Sequence, residues 1–235
     1  MARHPARHPA RHLVTGAGSG IGALLAERLR SRGDELVLLA RSEARAADLG
    51  AAHPGASVLV ADLADPAALE ELALPGRLDS VVHAAGVVDL GPVAELSAAS
   101  WQEQLAVNLV APAVLTARAL PALRAARGTV VMVNSGAGLV AHADWSAYAA
   151  AKHGLRALAD SLRAEEAPHG VRVSSVYPGR TATPMQERVH AQEGREYDAG
   201  AWIDPATVVD AIVHVLDLAP DATVPDLTIK PGPRA

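Results

Sequence analysis

Short apolar runs alternate with amphipathic segments along most of the chain. Seven runs rich in valine, leucine and alanine predict strands at residues 12–16, 35–40, 57–63, 78–86, 128–135, 171–179 and 226–231. Apolar residues at helical spacing predict helices at residues 22–33, 43–50, 65–73, 98–126, 145–166 and 204–218. A polar segment with neither period covers residues 180–202.

Strands that are apolar throughout and alternate with helices are typical of a parallel sheet covered on both faces. We therefore expect an α/β fold: a single Rossmann-type, doubly wound domain with a seven-stranded parallel sheet and helices on both faces. No stretch of linker composition divides it, so the domain should cover residues 12–235. Ligands of such sheets bind outside the carboxyl ends of the strands, so the residues at those ends are the functional candidates.

The N-terminal residues differ from the rest of the chain. They form a four-residue repeat, ARHPARHPARH, in which regular prolines prevent a helix and no apolar face is available for burial. We expect residues 1–11 to be a disordered tail. The alternatives are a metal-binding tract or an anion-binding arm, built from His4, His8 and His12 with Arg3 and Arg7. The remaining histidines show no metal spacing, so we expect no metal site.

Composition narrows the functional classes. The chain has 235 residues, is 50% hydrophobic and contains no Phe, so its core should be aliphatic. It has no Cys, which excludes disulfides and thiolate chemistry and fits a reducing cytoplasm. A net charge of −5 argues against nucleic acid as a partner. No apolar run reaches the roughly 18–20 residues of a membrane helix, and the N-terminus lacks the apolar region of a signal peptide. We expect a cytoplasmic protein without a membrane partner.

The first predicted strand ends in a glycine-rich stretch, TGAGSGIG, at residues 15–22. Gly16, Gly20 and Gly22 would tighten the turn into the first helix. They would also let the backbone, with Ser19 and Ile21, approach a pyrophosphate at the helix N-terminus. The spacing differs from G-x-G-x-x-G and from the P-loop, but the position between first strand and first helix indicates a dinucleotide-binding loop.

The end of the second predicted strand bears on which dinucleotide binds. An acid there would hydrogen-bond the 2′-hydroxyl of NAD, but this chain has Ala40 followed by Arg41. Because an arginine can pair with a 2′-phosphate, we expect NADP(H) in preference to NAD(H). The alternative is that Arg41 is an ordinary solvated cation and the cofactor is NAD. Asp62, after the third strand, is placed to reach the adenine amino group.

Further motifs follow the glycine loop in order. They are Asp62-Leu63, HAAG at residues 83–86, Asn108, Ser135, the Tyr148/Lys152 pair, and Pro178-Gly179 followed by Thr181 and Thr183. With these motifs the chain resembles the short-chain dehydrogenase/reductases from His12 to about Pro231. One departure is Ala85, where the family often has an asparagine, although alanine is also familiar there.

The resemblance implies a catalytic set and a set of cofactor contacts. The catalytic set is Asn108, Ser135, Tyr148 and Lys152. The matched motifs add the cofactor contacts Leu63, Ala84, Ala85, Gly86, Pro178, Gly179, Thr181 and Thr183, with Tyr148 and Lys152 themselves. The resemblance also implies that the helices at residues 98–126 and 145–166 pair across a two-fold axis, which gives a homodimer or homotetramer.

Carbonyl chemistry agrees with the Tyr148/Lys152 pair. Residues four apart in an alanine-rich helix lie on one face, and carbonyl reduction needs a proton donor for the oxygen. A free tyrosine has a pKa near 10, so we expect Lys152 to lower the pKa of Tyr148 and to hold the nicotinamide ribose. Ser135 should polarise the substrate oxygen, and Asn108 should hold a water that relays protons to Lys152.

The polar segment is long for a connection in a compact domain, so we expect residues 180–203 to form a substrate lid. Together with neighbouring loops it suggests a partly apolar pocket for a small-molecule substrate. The candidate pocket residues are Val88, Leu139, Trp145, Met185, Val189, Tyr197 and Trp202.

The sequence therefore predicts an NADP(H)-dependent oxidoreductase that reduces a carbonyl to an alcohol, or catalyses the reverse, with Tyr148 as the acid/base. An imine-reducing or non-redox member of the same family is one alternative, and a catalytically silent NADP-binding protein is another. The presence of Ser135, Tyr148 and Lys152 together favours the first reading.

Overall fold

The computed structural model describes residues 9–233. Its strands are β1 (Arg11–Thr15), β2 (Glu35–Ala40), β3 (Ser57–Val60), β4 (Ser80–His83), β5 (Thr129–Val133), β6 (Arg172–Pro178) and β7 (Asp226–Ile229). Its α-helices are α1 (Gly20–Ser31), α2 (Glu43–Ala52), α3 (Ala98–Leu105), α4 (Ala111–Ala126), α5 (Ser146–Glu166), α6 (Pro184–Gln192) and α7 (Pro205–Leu216).

The seven strands form one sheet in the order β3-β2-β1-β4-β5-β6-β7. Every neighbouring pair is parallel, which confirms the predicted doubly wound α/β fold. The strand order reverses between β1 and β4, and in such sheets this reversal opens a ligand crevice at the carboxyl ends of the strands.

The core lies on both faces of the sheet and is aliphatic. On one face, Leu25 of α1 and Ile212 of α7 are fully buried. On the other face, Leu115 of α4 and Leu155 of α5 are buried to the same degree. Burying side chains of this size stabilises the fold by about 1.5–3 kcal/mol each, so the two layers hold the strand ends in fixed positions.

Three predicted elements differ in detail from the structure. The helix expected at residues 65–73 is only a 3₁₀ turn, Pro66–Leu69. The long helix over residues 98–126 is interrupted by a π-helical turn, Ala106–Val110. The segment expected to be irregular contains α6, because the Thr183 side chain accepts a hydrogen bond from the backbone N–H of Gln186 and caps the helix.

The chain segment Ala98–Ala126 is long and apolar enough to cross a membrane by length and composition, with a mean hydropathy of 1.5. The expectation that no apolar run reaches this length was therefore too strict. Leu115 and Leu123 of this segment are completely buried against the sheet. In this fold the segment is a core helix.

The N-terminal repeat meets the sheet earlier than expected. Residues 1–8, which hold Arg3, His4, Arg7 and His8, lie outside the described residues. Arg11 already belongs to β1 and its backbone N–H donates to Asp79. The domain therefore begins within the segment that we expected to be tail.

Candidate active site

The turn between β1 and α1 requires its glycines. Gly16 has φ +73°, and a Cβ on it would lie 2.7 Å from the backbone nitrogen of Ala85. A Cβ on Gly22 would collide with the carbonyl oxygen of Gly16. The glycines thus let the first turn of α1 pack on the loop that follows β4, with backbone exposed toward the crevice.

A cleft of about 980 Å³ runs along the carboxyl ends of the strands. Every residue predicted to contact the cofactor lines this cleft except Gly22. Gly22 packs on Gly16 inside the turn, and its contact with the cofactor stays a prediction. The glycine cradle and the size of the cleft fit a dinucleotide.

Three predicted catalytic side chains meet in the cleft. Ser135 follows β5, whereas Tyr148 and Lys152 lie one turn apart on α5. The hydroxyl of Ser135 is near enough to that of Tyr148 to act on its pKa. The Nζ atom of Lys152 lies 5.7 Å from the centroid of the Tyr148 ring and donates to the carbonyl oxygen of Val133 at 3.0 Å.

Burial sets the pKa values of this group. It raises the pKa of Tyr148 to about 12, and the hydrogen bond with Ser135 offsets this in part. It lowers the pKa of Lys152 to about 8, because desolvation disfavours a charged form. The expected lowering of the Tyr148 pKa was therefore wrong for the protein without a cofactor, because burial dominates. At neutral pH Tyr148 carries its proton and Lys152 is cationic.

Asn108 has a different place from the one predicted. It lies in the π-helical turn, is 1% exposed and does not line the cleft. Its amide donates to the carbonyl oxygen of Val87 at 2.8 Å, and its Oδ1 accepts from the N–H of Val87 at 3.0 Å. Its side chain fixes the loop after β4, and a water relay to Lys152 stays a prediction.

Asn134 is a functional residue that the sequence reasoning missed. Its amide donates to the backbone oxygen of Lys152 at 3.1 Å, and its Oδ1 accepts from the N–H of Ser135 at 2.8 Å. It therefore holds α5 against the end of β5. Its position directly before Ser135, at the end of a buried strand, was the available signal.

The adenosine end of the cleft is cationic. Arg41 lines it and forms no ion pair with any residue in the range 9–233, whereas Ala40 beside it is buried. Asp62 also lines it and accepts a hydrogen bond from the N–H of Ala64 at 2.9 Å. Arg45, another missed residue, lines the same end.

The predicted substrate residues separate into two groups. Four of them line the cleft: Val88, Trp145, Met185 and Val189. Leu139, Tyr197 and Trp202 do not line it, and their contact with a substrate stays a prediction.

Two of these side chains belong to an aromatic cluster within the segment 180–203. The rings of Tyr197 and Trp202 pack on His190 of α6, with centroid distances of 5.3 and 5.2 Å. Leu139 instead follows the 3₁₀ turn Gly136–Gly138.

Arg180 links the start of the segment 180–203 to the end of α6 and was also missed. Its guanidinium makes two hydrogen bonds to Glu193, at 2.8 and 2.5 Å. It lies 5.9 Å from the Trp145 ring centroid and 5.4 Å from that of Trp202. The hydrogen bonds from Arg180 hold the pKa of Glu193 below its ordinary value, so this carboxylate is charged near neutral pH.

Among residues 9–233, no group of three His, Asp or Glu side chains is arranged to hold a metal ion. A doubly wound sheet, a glycine turn on β1 and the Ser135–Tyr148–Lys152 group together define a dinucleotide-dependent oxidoreductase. Residues 11–194 match the family model described as short chain dehydrogenase. The chain belongs to this family.

Similar proteins agree with this assignment. The chain is 36% identical to D-threitol dehydrogenase of Mycolicibacterium smegmatis over 93% of its length and 90% of that protein. A short chain dehydrogenase structure from Escherichia coli CFT073, complexed with NADPH, superposes with a TM-score of 0.83 at 28% identity, covering 93% of this chain and 95% of that one. A 4-hydroxyisoleucine dehydrogenase structure complexed with NADH gives a TM-score of 0.80 at 25% identity, covering 94% and 97%.

Proposed function

We propose that this oxidoreductase is NADP(H)-dependent and interconverts a carbonyl and an alcohol, with Tyr148 as the acid/base. The observation that carries the proposal is the placement of Ser135 and Tyr148 beside Lys152 in one cleft, which begins at the glycine loop. Two adjacent hydroxyls at one end of a dinucleotide-sized cleft suit a substrate oxygen that accepts two hydrogen bonds.

Different residues of the chain would bind the cofactor and act on the substrate oxygen. The dinucleotide, when bound, supplies or accepts the hydride. Gly16, Ser19 and Gly20 would hold its pyrophosphate, and Lys152 would hold the nicotinamide ribose. In the reduction direction Tyr148 donates its proton to the carbonyl oxygen while Ser135 donates a hydrogen bond to the same atom.

The raised pKa of Tyr148 bears on the direction of reaction. A phenol with a pKa of about 12 is fully protonated at neutral pH, which suits proton donation during reduction. For alcohol oxidation the phenol must act as a base, so a nearby positive charge has to lower its pKa. Lys152 is the cation of this chain that is placed to do so.

The proposed preference for NADP(H) rests on the residues at the carboxyl end of β2. Arg41 follows buried Ala40, and no carboxylate stands at position 40 to repel a 2′-phosphate. Similar structures hold NADPH in one case and NADH in another, so the family alone does not decide the choice. The unpaired guanidinium supports NADP(H).

A substrate screen tests the proposal. Carbonyl compounds would be mixed with the protein and NADPH, with NADH in parallel, while the absorbance of the reduced cofactor is followed. We expect consumption of NADPH with at least one ketone or aldehyde, and its loss in Tyr148→Phe. Reduction of imines alone would favour the imine-reducing alternative.

A further inference from the structure

A second arginine stands at the Arg41 end of the cleft. Arg45 lies in the first turn of α2, and its side chain lines the cleft beside the glycine loop. Its guanidinium reaches over Gly18, since a Cβ placed on Gly18 would lie 2.9 Å from Nη2 of Arg45. The guanidinium therefore connects α2 with the loop that receives the phosphates.

The ion pair that Arg45 forms adds too little stability to explain why its side chain lies at the cleft. Its Nη1 pairs with Asp48 at 3.0 Å, and the two side chains are 47% and 63% exposed. Exposed pairs of this kind contribute little to stability. A guanidinium carries several N–H donors in a planar fork, so the pair with Asp48 leaves donors available toward the cleft.

A 2′-phosphate has enough charge and acceptor oxygens to bind more than one cationic side chain. It carries up to about two negative charges and several acceptor oxygens, and the ribose that bears it lies near the end of the second strand of such folds. Arg41 stands at that strand end, and Arg45 stands over the glycine loop. Both line the same cleft, and only four residues separate the end of β2 from Arg45 in the first turn of α2.

We propose that Arg45 is a specificity-determining residue for NADP(H), which binds the 2′-phosphate together with Arg41. The inference rests on the proposed cofactor preference. Asp48 opposes this role, since its carboxylate competes for the Arg45 guanidinium and repels a phosphate. Removing the Asp48 carboxylate should therefore strengthen binding of the 2′-phosphate, whereas removing the Arg45 guanidinium should weaken it.

Two nucleotides that differ only in the phosphate provide the test. The dissociation constants of adenosine 2′,5′-bisphosphate and 5′-AMP would be measured by isothermal titration calorimetry. Arg45→Ala should raise the constant for the bisphosphate by about three- to tenfold, a modest effect because the guanidinium is half exposed. The constant for 5′-AMP should not change. Asp48→Asn should lower the bisphosphate constant by about twofold.

Arg28 provides a matched control. It pairs with Asp210 at 2.7 Å, with side chains 45% and 62% exposed, and it does not line the cleft. Arg28→Ala should leave both dissociation constants unchanged. Circular dichroism of each variant would verify that the fold is retained.

The outcomes separate this inference from the proposed function. If Arg41→Ala weakens the bisphosphate selectively but Arg45→Ala does not, the role of Arg45 is overturned and the cofactor preference stands. Equal weakening of both nucleotides by Arg45→Ala would also overturn it, since Arg45 would then shape the loop and not bind the phosphate. If the unmutated protein binds both nucleotides equally, the cofactor preference and the role of Arg45 fail together.

Discussion

Tyr148 owes its proposed role to its surroundings as much as to its hydroxyl. Tyr148 is 6% exposed, and its ring contacts that of Trp145 edge-on at a centroid distance of 5.8 Å. These contacts fix where the hydroxyl stands, so a substrate oxygen must come to it. Proton transfer from a positioned side chain contributes about 10²–10⁴-fold to rate.

Tyr148→Phe should therefore lower kcat by about 10²–10⁴-fold, because only the proton donor is removed. NADPH binding, measured by fluorescence titration, should be kept. Tyr177→Phe is the matched control: that hydroxyl is buried with its ring in β6 and donates to Asp226 at 3.1 Å, away from the cleft. Near-normal turnover in Tyr148→Phe would show that the assigned mechanism is wrong.

Lys152 should make stability depend on pH. Its pKa falls from 10.5 to about 8 on folding, so between these values the unfolded chain binds more protons and stability rises with pH. From pH 8 to pH 10 the free energy of unfolding should rise by about 2–3 kcal/mol. The raised pKa of Tyr148 adds stability that is complete below pH 10 and is lost only above it.

Urea unfolding at pH 8 and pH 10, for the unmutated protein and Lys152→Met, measures this contribution. Between pH 8 and pH 10 the unfolding free energy of the unmutated protein should rise relative to that of Lys152→Met. An identical difference at both values would show that the Lys152 ammonium is not desolvated in the folded state.

At the scale of elements, we expect the segment 180–203, the proposed lid, to depend on the ion pair of Arg180 and Glu193. Arg180 and Glu193 are 27% and 15% exposed, so their hydrogen bonds are better shielded than those of surface pairs. Glu193→Gln should loosen α6, raising its amide hydrogen-exchange rate and the substrate KM by about three- to tenfold. Exposed Glu187 on the same helix is the control, and Glu187→Gln should change neither quantity. Unchanged exchange in Glu193→Gln would remove the ion pair as the lid's anchor.

The hydrophobic pattern predicted the strands well because most of them are buried apolar runs, and the partly exposed edge strands β3 and β7 are also rich in apolar residues. It could not predict the π-helical turn at Ala106–Val110, since every residue there is compatible with an α-helix. It also overlooked α6, although Thr183 and Pro184 are a typical helix start. Periodicity also could not show that Tyr197 and Trp202 pack on His190. Asn134 and Asn108 act through backbone contacts that only the fold brings together.

At the scale of the whole molecule, we expect a symmetric assembly. The α4 and α5 helices carry many small residues, and Val110 between α3 and α4 is 42% exposed. Closed homo-oligomers are the general expectation for such proteins. Light scattering at micromolar concentration should give at least twice the chain mass of 24.2 kDa. A mass of one chain across that range would refute the assembly.

The central claim is that the cleft uses NADP(H) to reduce a carbonyl, and the ratio of kcat/KM for NADPH and NADH on one substrate tests it most directly. The unmutated protein should favour NADPH. Arg41→Ala should weaken NADPH by about ten- to a hundredfold and leave NADH nearly unchanged. Ala40→Asp with Arg41→Ala should favour NADH, because the new carboxylate bonds the 2′-hydroxyl and repels the phosphate. An unmutated protein that uses NADH as well as NADPH would contradict the account.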